Sequence, residues 1–270
     1  MEYLTVLRNY ATAAPESLSS SLLYKHSPKN IIIFDAFPKS VFHFLILPRV
    51  QEPKLNTATL HSLRTLLGAG DREQAKEVVT AMAEEAKALK EEIQEEMMQR
   101  FGFKWDVWTG FHGAPSMHHM HLHVISADLI SEKMKHKKHY NSFHPKLGFF
   151  LHIDDVLSWF DAVPSFYSNL IKDFKPSKYE PILKESLRCF HCNEEMKNMP
   201  TLKAHLQEEW NKLERRGKEI AKRKRKHEQT RASSASKKDV DEKRSDQEES
   251  SSKKLKPSPS PPSDAPSPEK

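Results

Sequence analysis

The sequence predicts an α+β fold, a sheet with helices packed on it, followed by a small ββα zinc finger and a disordered basic tail. Short apolar runs with strand character and long helical patterns both occur in the first 180 residues. A C-x2-C pair is followed by apolar residues at the spacing of a finger. Beyond residue 215 the chain is poor in apolar residues and rich in Lys, Ser and Pro, which is typical of disorder. We therefore expect domains at 1–180, 181–215 and 216–270.

The first domain begins with a helical segment and then combines strands with helices. Residues 2–10 form an amphipathic pattern with Leu4 and Leu7 on one side. The runs NIIIFD and VFHFLILP predict two buried strands joined by a turn that contains Pro38. Helices are predicted at 60–67 and 71–99, and the second has an apolar stripe that belongs to the core. FKWDVWTG predicts a strand, and the segments from HIDDVLSWF to YSNLIKDF predict a later helical region.

The stretch GFHGAPSMHHMHLHVISADL carries the chemistry of this domain. His119, His121 and His123 alternate with apolar residues, so on a strand the three imidazoles share one face. The apolar residues that alternate with them, Met120, Leu122 and Val124, then face the core. An imidazole can act as nucleophile, acid, base or metal ligand near neutral pH. A His-rich strand without function and a metal patch are the alternatives.

This run resembles the signature of the histidine triad family, His-φ-His-φ-His-φ-φ, where φ is apolar. The resemblance implies an antiparallel sheet with helices that binds a nucleoside monophosphate. It assigns His121 as the nucleophile that forms a covalent nucleotidyl-histidine, with His119 and His123 beside the phosphate. An imidazole nitrogen can attack phosphorus only if its other nitrogen is held as the N–H, and neighbouring donors can stabilise the developing charge.

Flanking motifs narrow the resemblance to the aprataxin group, the branch of the family that repairs DNA. FHGAPSM precedes the triad, KKHYNSFHP follows it, and a zinc finger comes later. The resemblance assigns His112 to the leaving group and implies the shorter fungal type, which lacks a forkhead-associated domain. It places nucleotide and phosphate contacts at Asp35, Phe34, Phe37, Lys39, His43, Ser116 and Met117, and DNA contacts at Arg8, Tyr10, Lys137 and Lys138. The alternative for Lys39 is a solvated turn residue that contacts no phosphate. The alternative for the N-terminal helix is that it packs on the sheet and does not contact DNA.

The finger has the two cysteines of the chain, Cys189 and Cys192, and then His205 at the spacing of a ββα module. No histidine follows at the fourth ligand position, where Glu209 lies four residues after His205 and shares its helix face. Carboxylate is an acceptable zinc ligand, and the resemblance to the fungal type favours Glu209. His191 is the weaker candidate ligand. A redox pair or a disulfide is the alternative for the cysteines.

Charge divides the chain into two parts. Residues 212–270 hold 18 Lys and Arg against 11 Asp and Glu, whereas the whole chain has a net charge of +6, so residues 1–211 total about −1. The run KRKRK at 222–226 predicts a nuclear localisation signal or a nucleic-acid patch, with a solvated charge run as the alternative. Ser-Pro pairs at Ser258, Ser260 and Ser267 offer phosphorylation sites. No secretory signal or membrane span is expected.

Three functions fit these residues. The first is an enzyme that removes AMP from adenylated 5′ ends of nicked or broken duplex DNA in single-strand break repair, and that could also remove 3′ guanylate caps. This enzyme would need structural zinc but no catalytic metal, and its product would be AMP. It would act in the nucleus and could bind DNA-repair proteins through the tail. The second is a general triad hydrolase of dinucleoside polyphosphates or phosphoramidates. The third is a nucleic-acid-binding finger protein with a vestigial triad domain.

Overall fold

A six-stranded antiparallel sheet forms the centre of the computed structural model, which describes residues 2–252 and the side chains of residues 3–230. The strands lie in the order β1-β2-β3-β5-β4-β6. Every neighbouring pair is antiparallel, as the resemblance to the triad family implies. The strands are β1 Leu23–His26, β2 Asn30–Phe34, β3 His43–Pro48, β4 Val107–His112, β5 Leu122–Ser126 and β6 Phe150–His152.

Eight α-helices and four short 3-10 helices accompany the sheet in the described part of the chain. The long helix at 72–101 begins after Asp71, whose side chain accepts a hydrogen bond from the Gln74 N–H, and it ends at Gly102 in a left-handed conformation (φ +77). None of the described helices is long and apolar enough to cross a membrane. The α-helices are α1 Val6–Thr12, α2 Leu63–Leu67, α3 Arg72–Phe101, α4 Lys137–Phe143, α5 Ile153–Trp159, α6 Pro164–Asp173, α7 Pro176–Tyr179 and α8 Met199–Ser252; the 3-10 helices are Glu2–Thr5, Pro15–Ser17, Thr59–His61 and Glu180–Lys184.

The two faces of the sheet have different coverings. On one face, Ile32, Ile46 and Val124 join a core cluster with the apolar stripe of α3. On the other face, α1 packs on β2 and β3 at one side, and the segment that contains the two cysteines packs on β4, β5 and β6 at the other. His43, His123 and His112 lie on the second face in the three central strands. The fold therefore leaves imidazoles between two apolar coverings.

The triad run departs from the predicted strand at its start. Strand β5 begins at Leu122, whereas alternation predicts a strand from His119. His119 has a positive φ of 90°, and its buried ring bonds the Pro48 carbonyl oxygen through Nε2 at 2.7 Å. The prediction that all three imidazoles share one strand face is therefore wrong for His119. The turn imposed by this backbone conformation separates its ring from those of His121 and His123.

The C-terminal segment also departs from its prediction. Disorder is expected from residue 216, but α8 continues to Ser252, which corrects that expectation over residues 216–252. After Gly217 the described helix contains neither Gly nor Pro, and it is rich in the helix formers Lys, Arg and Glu. Pairs such as Lys218–Glu214 and Arg223–Glu219 add i,i+4 support. The predicted phosphorylation sites at Ser258, Ser260 and Ser267 lie outside the described residues.

Candidate active site and metal centre

A cavity of about 350 Å³ lies on the imidazole face of the sheet. Strands β3, β4 and β5 supply His43, His112 and His123, and His121 precedes β5 by one residue. The cavity brings together most of the predicted catalytic and phosphate-binding residues: Asp35, Phe37, Lys39, His43, His112, Ser116, Met117, His121, His123 and Lys138. The ring of His119 and the side chain of Lys137 do not line it. The predicted constellation is therefore assembled in one place, with two exceptions: the His119 ring, and Phe34, which lines a neighbouring cavity.

Hydrogen bonds fix the tautomer of His123 through His43. The backbone N–H of Lys39 donates to His43 Nδ1 at 3.2 Å, so a neutral His43 carries its proton on Nε2. That N–H donates to His123 Nδ1 at 3.0 Å. His123 therefore carries its own proton on Nε2, which is buried and has no partner in the described part of the chain. The result is an unpaired N–H donor inside the cavity.

A different bond fixes the tautomer of His121. Its Nδ1 lies 2.8 Å from the carbonyl oxygen of His119, which can only accept, so Nδ1 carries the proton. Nε2 of the neutral ring then holds the lone pair. This is the arrangement that nucleophilic attack by an imidazole requires. His119 thus serves the site through its backbone, although its side chain bonds elsewhere.

Burial keeps the imidazoles of the cavity neutral. It lowers the pKa of His43 to about 4, and it lowers the pKa of His121 although the His119 carbonyl and the Asp35 charge oppose it. Burial also holds the pKa values of His112 and His123 well below the usual range, with a further contribution from neighbouring histidines. At neutral pH His121 is therefore an uncharged nucleophile.

His112 lies against His123, with 4.3 Å between the ring centroids. Its Nε2 is buried and unpartnered within the described residues. A backbone hydrogen bond with Ser142 raises the pKa of His112, but this effect is smaller than the lowering by burial. Beside it in β4, Gly110 pairs with His123, and a Cβ at that glycine would come within 2.6 Å of Phe150 and the Leu151 carbonyl. This glycine allows β6 to pack against the strand that positions His112. The role of His112 toward the leaving group stays a prediction.

Asp35 connects the imidazole cavity to a second one of about 460 Å³, since it lines both. One carboxylate oxygen accepts from the Phe37 N–H at 2.7 Å, and the other lies 3.5 Å from His43 Nε2. Phe34 lines the second cavity with Tyr24 and Phe44, whose ring centroids are 5.0–5.5 Å apart. Glu92, Glu96 and Arg100 line the rest of the second cavity. A cavity with an aromatic wall beside the imidazole cavity suits a nucleotide, with base and phosphate at opposite ends.

Several site residues were missed by sequence reasoning. Tyr24 and Phe44 line the aromatic cavity, but Tyr24 lies in β1, which the sequence does not predict, and Phe44 lies in a strand that the sequence marks only as buried. His139 lines the imidazole cavity, and its Nδ1 is buried without a partner in the described part of the chain. Asp128 accepts hydrogen bonds from the Val41 N–H and the Trp105 indole, which fixes the turn before β3. Such contacts connect residues that are far apart in sequence, so local patterns do not reveal them. Among these residues, only His139, in the motif KKHYNSF, could have been recognised as a candidate from the sequence.

The cysteines and His205 form a compact group of donors. The ligand atoms of Cys189, Cys192 and His205 all lie within 4.8 Å of one another, and Cys192 Sγ is 3.4 Å from His205 Nε2. Both thiols are free. Ligands at zinc distances of about 2.0–2.3 Å in a tetrahedron are separated by about 3.5 Å, so this donor set fits Zn²⁺. No disulfide joins the two cysteines in this structure.

The fourth ligand is not part of that group. Glu209 lies on the same helix as His205 but accepts a hydrogen bond from Lys212 at 2.7 Å. The pKa of Glu209 is lowered, chiefly by Lys212 and also by His205. His191, the weaker candidate, packs on the ring of Phe190 and is exposed. Its assignment as the fourth ligand stays a prediction.

The predicted DNA contacts lie in two places. Tyr10 packs with Leu7 against the cluster under α1, as in the alternative that the helix simply packs on the sheet, while Arg8 is half-buried. Lys137 and Lys138 are exposed at the start of α4, where Lys137 donates to the Lys184 carbonyl. Lys138 borders the imidazole cavity.

Comparison with known proteins identifies the family. The chain is 31% identical over 234 residues to the aprataxin-like protein of Saccharomyces cerevisiae, a match that covers 78% of this chain and 97% of the yeast protein. The chain belongs to the aprataxin family of histidine triad proteins. It spans less than half the length of two animal aprataxins it also matches, those of Ciona intestinalis (42%) and Gallus gallus (49%).

Sequence profiles and solved structures agree with the aprataxin assignment. Residues 10–139 match the family described as scavenger mRNA decapping enzyme C-term binding, and residues 146–212 match the C2HE / C2H2 / C2HC zinc-binding finger. The aprataxin ortholog Hnt3 in complex with DNA has a TM-score of 0.61 at 25% identity, covering 80% of this chain and 99% of that one. Hnt3 in complex with DNA and guanosine has a TM-score of 0.56 at 26% identity, covering 78% and 97%. The expected histidine triad fold with a C-terminal zinc finger is thereby confirmed.

Proposed function

We propose that this protein removes AMP from adenylated 5′ ends of nicked or broken duplex DNA, in single-strand break repair, through a covalent AMP-histidine. The observation that supports it is the tautomer of His121. The His119 carbonyl holds its Nδ1–H, and its Nε2 lone pair is left in a cavity that also presents an unpaired N–H of His123. Membership of the aprataxin family and the likeness to a DNA-bound ortholog support the choice of substrate.

The reaction has two steps. In the first, His121 Nε2 attacks the phosphorus of AMP, the bond from that phosphorus to the bridging oxygen breaks, and DNA leaves with its 5′-phosphate. A phosphate leaving group needs no proton, which agrees with a neutral His112. In the second step, water attacks the same phosphorus and loses a proton to solvent, the bond to His121 breaks with its electron pair returning to Nε2, and AMP is released. The His123 Nε2–H stabilises the negative charge on a phosphorus-bound oxygen in both transition states.

The two cavities divide the nucleotide between them. Asp35 lies at their boundary, where its carboxylate can accept hydrogen bonds from the ribose hydroxyls. The base then enters the aromatic cavity beside Phe34, and the phosphate meets Lys39, His43 and Ser116. A 3′ guanylate cap offers the same phosphorus and ribose, and a structure of Hnt3 contains guanosine together with DNA. We therefore include removal of 3′ guanylate as a second activity of the same site.

Zinc belongs to the structural part of the proposal. Cys189, Cys192 and His205 would hold it, with Glu209 as the fourth ligand, and it would stabilise the finger. Catalysis by His121 uses no metal. We further propose that the enzyme acts in the nucleus, that Lys137, Lys138 and the finger contact the DNA backbone, and that repair proteins bind the C-terminal segment.

Incubation with a 5′-adenylated nicked duplex tests the proposal. We expect AMP release in EDTA, at a concentration shown by elemental analysis to leave bound zinc in place. Mass spectrometry of the quenched reaction should find AMP bonded to His121. An adduct on His123, or none during rapid turnover, would contradict the mechanism.

A general triad hydrolase is the competing function. It predicts that diadenosine tetraphosphate or an adenosine phosphoramidate is a far better substrate than adenylated DNA. Comparison of kcat/KM for these substrates separates the two. Equal or lower kcat/KM on the nicked duplex would favour the general hydrolase.

A further inference from the structure

Residues 176–185, here called the strap, lead from α6 toward the cysteine cluster and contribute to the wall of the imidazole cavity. The strap contains α7 and the 3-10 helix at 180–184. Its Leu183 lines the cavity together with His112 and Phe149. Its Tyr179 is buried and belongs to the main core cluster. The two proposed chemical steps use no residue of the strap, although it borders the place where they occur.

The ring of Tyr179 lies directly on Gly113, the residue that follows His112. A Cβ at Gly113 would lie 2.3 Å from Cδ1 of that ring and 2.5 Å from its Cγ, so no other residue fits beneath the ring as it stands. The φ of Gly113 is not positive, so its backbone conformation does not require glycine and only the close approach does. The Gly113 N–H also donates to the Phe149 carbonyl at 2.9 Å. The end of β4 is therefore held between the strap and the start of β6.

A second set of contacts joins the strap to α4. Asn141 of α4 is fully buried, and its Nδ2 lies within hydrogen-bond distance of three carbonyl oxygens of the strap. These belong to Ile182 (3.3 Å), Leu183 (3.4 Å) and Glu185 (2.9 Å). Phe143, two residues further along α4, has its ring centroid 4.7 Å from that of His112. The strap is thus attached to both elements that pack around His112, the end of β4 and α4.

Packing holds the ring of His112 in place. Its Nε2 has no hydrogen-bond partner within residues 3–230, whose side chains the structure describes. Three rings surround it at centroid distances of 4.3–5.2 Å, those of His123, Phe143 and Phe149. Tyr179 also packs on Phe149, with 6.4 Å between the centroids. The ring that presses on the backbone after His112 therefore also supports one of the rings beside it.

We propose that the strap positions His112 for the reaction, with Tyr179 as a positioning residue that acts through Gly113 and Phe149. This inference rests on the proposed function, because it takes His112 as the group that acts on the leaving group. In an in-line displacement the nucleophile and the leaving group lie on opposite sides of the phosphorus. A shift of His112 alone therefore impairs the departure of the leaving group more than the attack by His121. A misplacement of about 1 Å can lower a rate by about 10²-fold.

Gly113→Ala and Tyr179→Ala test the strap on two small AMP derivatives. One is the 4-nitrophenyl ester of AMP, whose leaving group departs as a stable anion. The other is an adenosine phosphoramidate, whose amine needs a proton as it leaves. Gly113→Ala should lower kcat/KM about tenfold for the phosphoramidate and less than about twofold for the ester. Tyr179→Ala should change the ratio of the two kcat/KM values in the same direction, and His112→Ala should change it further.

A double variant shows whether the two residues act through their contact. If the added Cβ acts by displacing the ring, it should cost nothing more once the ring is absent, so Gly113→Ala combined with Tyr179→Ala should match Tyr179→Ala alone. Tyr179→Phe keeps the ring and should match the wild type. Independent losses that multiply in the double variant would overturn the proposal. So would a loss in Tyr179→Phe equal to that in Tyr179→Ala.

Tyr167→Ala is the matched control for lost packing. Tyr167 is as buried as Tyr179 (7% against 6% exposed), but it lies on α6 against Phe160 and does not line the imidazole cavity. Both variants should lower the thermal midpoint, and only Tyr179→Ala should change the ratio of the two kcat/KM values. An equal change of that ratio in Tyr167→Ala, or a parallel loss on both substrates in Gly113→Ala, would overturn the proposal.

Two further outcomes are decisive. An unchanged ratio in His112→Ala would remove the role of His112 toward the leaving group, and the positioning role of the strap with it. If the wild type hydrolyses both small derivatives but releases no AMP from adenylated DNA, the proposed function fails. The ratios measured on the small derivatives still decide the role of the strap in that case, because they do not depend on DNA.

Discussion

The imidazole cavity and the cysteine cluster use the same side chain in opposite ways. In the cavity, His121 and His123 each have one nitrogen bonded to a carbonyl or to another imidazole, and the other nitrogen has no hydrogen-bond partner among residues 3–230, whose side chains the structure describes. In the cluster, His205 points its Nε2 at a thiol, 3.4 Å from Cys192 Sγ. Burial makes the first group neutral and reactive, whereas the proximity of thiols makes the second a metal ligand set.

The difference shows that the partner of the second nitrogen decides what a histidine does. A carbonyl oxygen fixes the proton on one side of the ring and leaves a nucleophile on the other. Two sulfur donors at ligand distance leave room for an ion of the size and softness of zinc. The same reasoning explains why His119, whose ring bonds Pro48, contributes only its carbonyl to the site.

The largest effect is expected from removal of the nucleophile. His121→Asn should lower AMP release from adenylated DNA by at least about 10³-fold, since a carboxamide cannot replace the imidazole as the nucleophile that forms the covalent intermediate. Binding of the same DNA should remain near wild type, as measured by anisotropy. His26→Asn, an exposed histidine on β1, is the control and should leave both quantities unchanged. Near wild-type turnover by His121→Asn would contradict the assignment.

The cysteine cluster should fail in a different way. Cys192→Ser should lose the one zinc per chain that we expect in the wild type and should unfold the residues around the finger, because metal binding and folding are coupled in such modules. DNA binding should weaken more than the hydrolysis of a small adenylate. Elemental analysis and both assays provide the check. Freshly purified wild type with no zinc and two free thiols would refute the metal centre.

Acid should weaken the fold through the imidazole cavity. The pKa of His43 is lowered to about 4 by burial, while an unfolded histidine titrates near 6.5, so the unfolded chain binds more protons between these values. The free energy of unfolding therefore falls as pH drops from about 6.5 toward 4, and His43 alone accounts for about 2 to 3 kcal/mol by pH 4.5. Urea titrations at pH 7 and 4.5 measure this loss. His43→Gln should reduce the pH dependence, and the exposed His26→Gln should not.

Much of the imidazole cavity and of the cysteine cluster can be predicted from the sequence, because these parts depend on local patterns. Strands β2 and β3, helix α3 and the finger spacing follow from periodicity and from the C-x2-C pair. The imidazoles of His121 and His123 are also found by alternation. The conformation of His119 is not, since a positive φ in a non-glycine residue depends on contacts with Pro48 and His61 that are distant in sequence.

The remainder of the site depends on tertiary contacts in the same way. Tyr24, Phe44 and Asp128 act through neighbours that are distant in sequence, and nothing in their local sequence identifies them as residues of the site. The helix beyond residue 216 shows that composition alone does not distinguish helix from disorder. A segment rich in Lys, Arg and Glu favours disorder because of its charge, yet the same residues have high helix propensity. Local spacing therefore predicts which chemistry is present, and packing decides which groups surround it.

The smallest expected effect lies where the two regions meet. The Tyr140 hydroxyl donates to the Arg188 carbonyl at 2.8 Å and accepts from the Phe190 N–H at 3.0 Å, which ties α4, beside the imidazole cavity, to the chain around Cys189. Tyr140→Phe would leave both backbone groups without that partner and should lower the free energy of unfolding by about 1 to 3 kcal/mol. Tyr167→Phe, which removes a hydroxyl with a single long contact of 3.4 Å, is the control and should lose less. Urea denaturation gives the stability, and the rate of zinc release to a chelator shows whether the loss reaches the cysteine cluster. Equal destabilisation in both variants, with unchanged zinc release, would mean that the two regions are not connected through this hydroxyl.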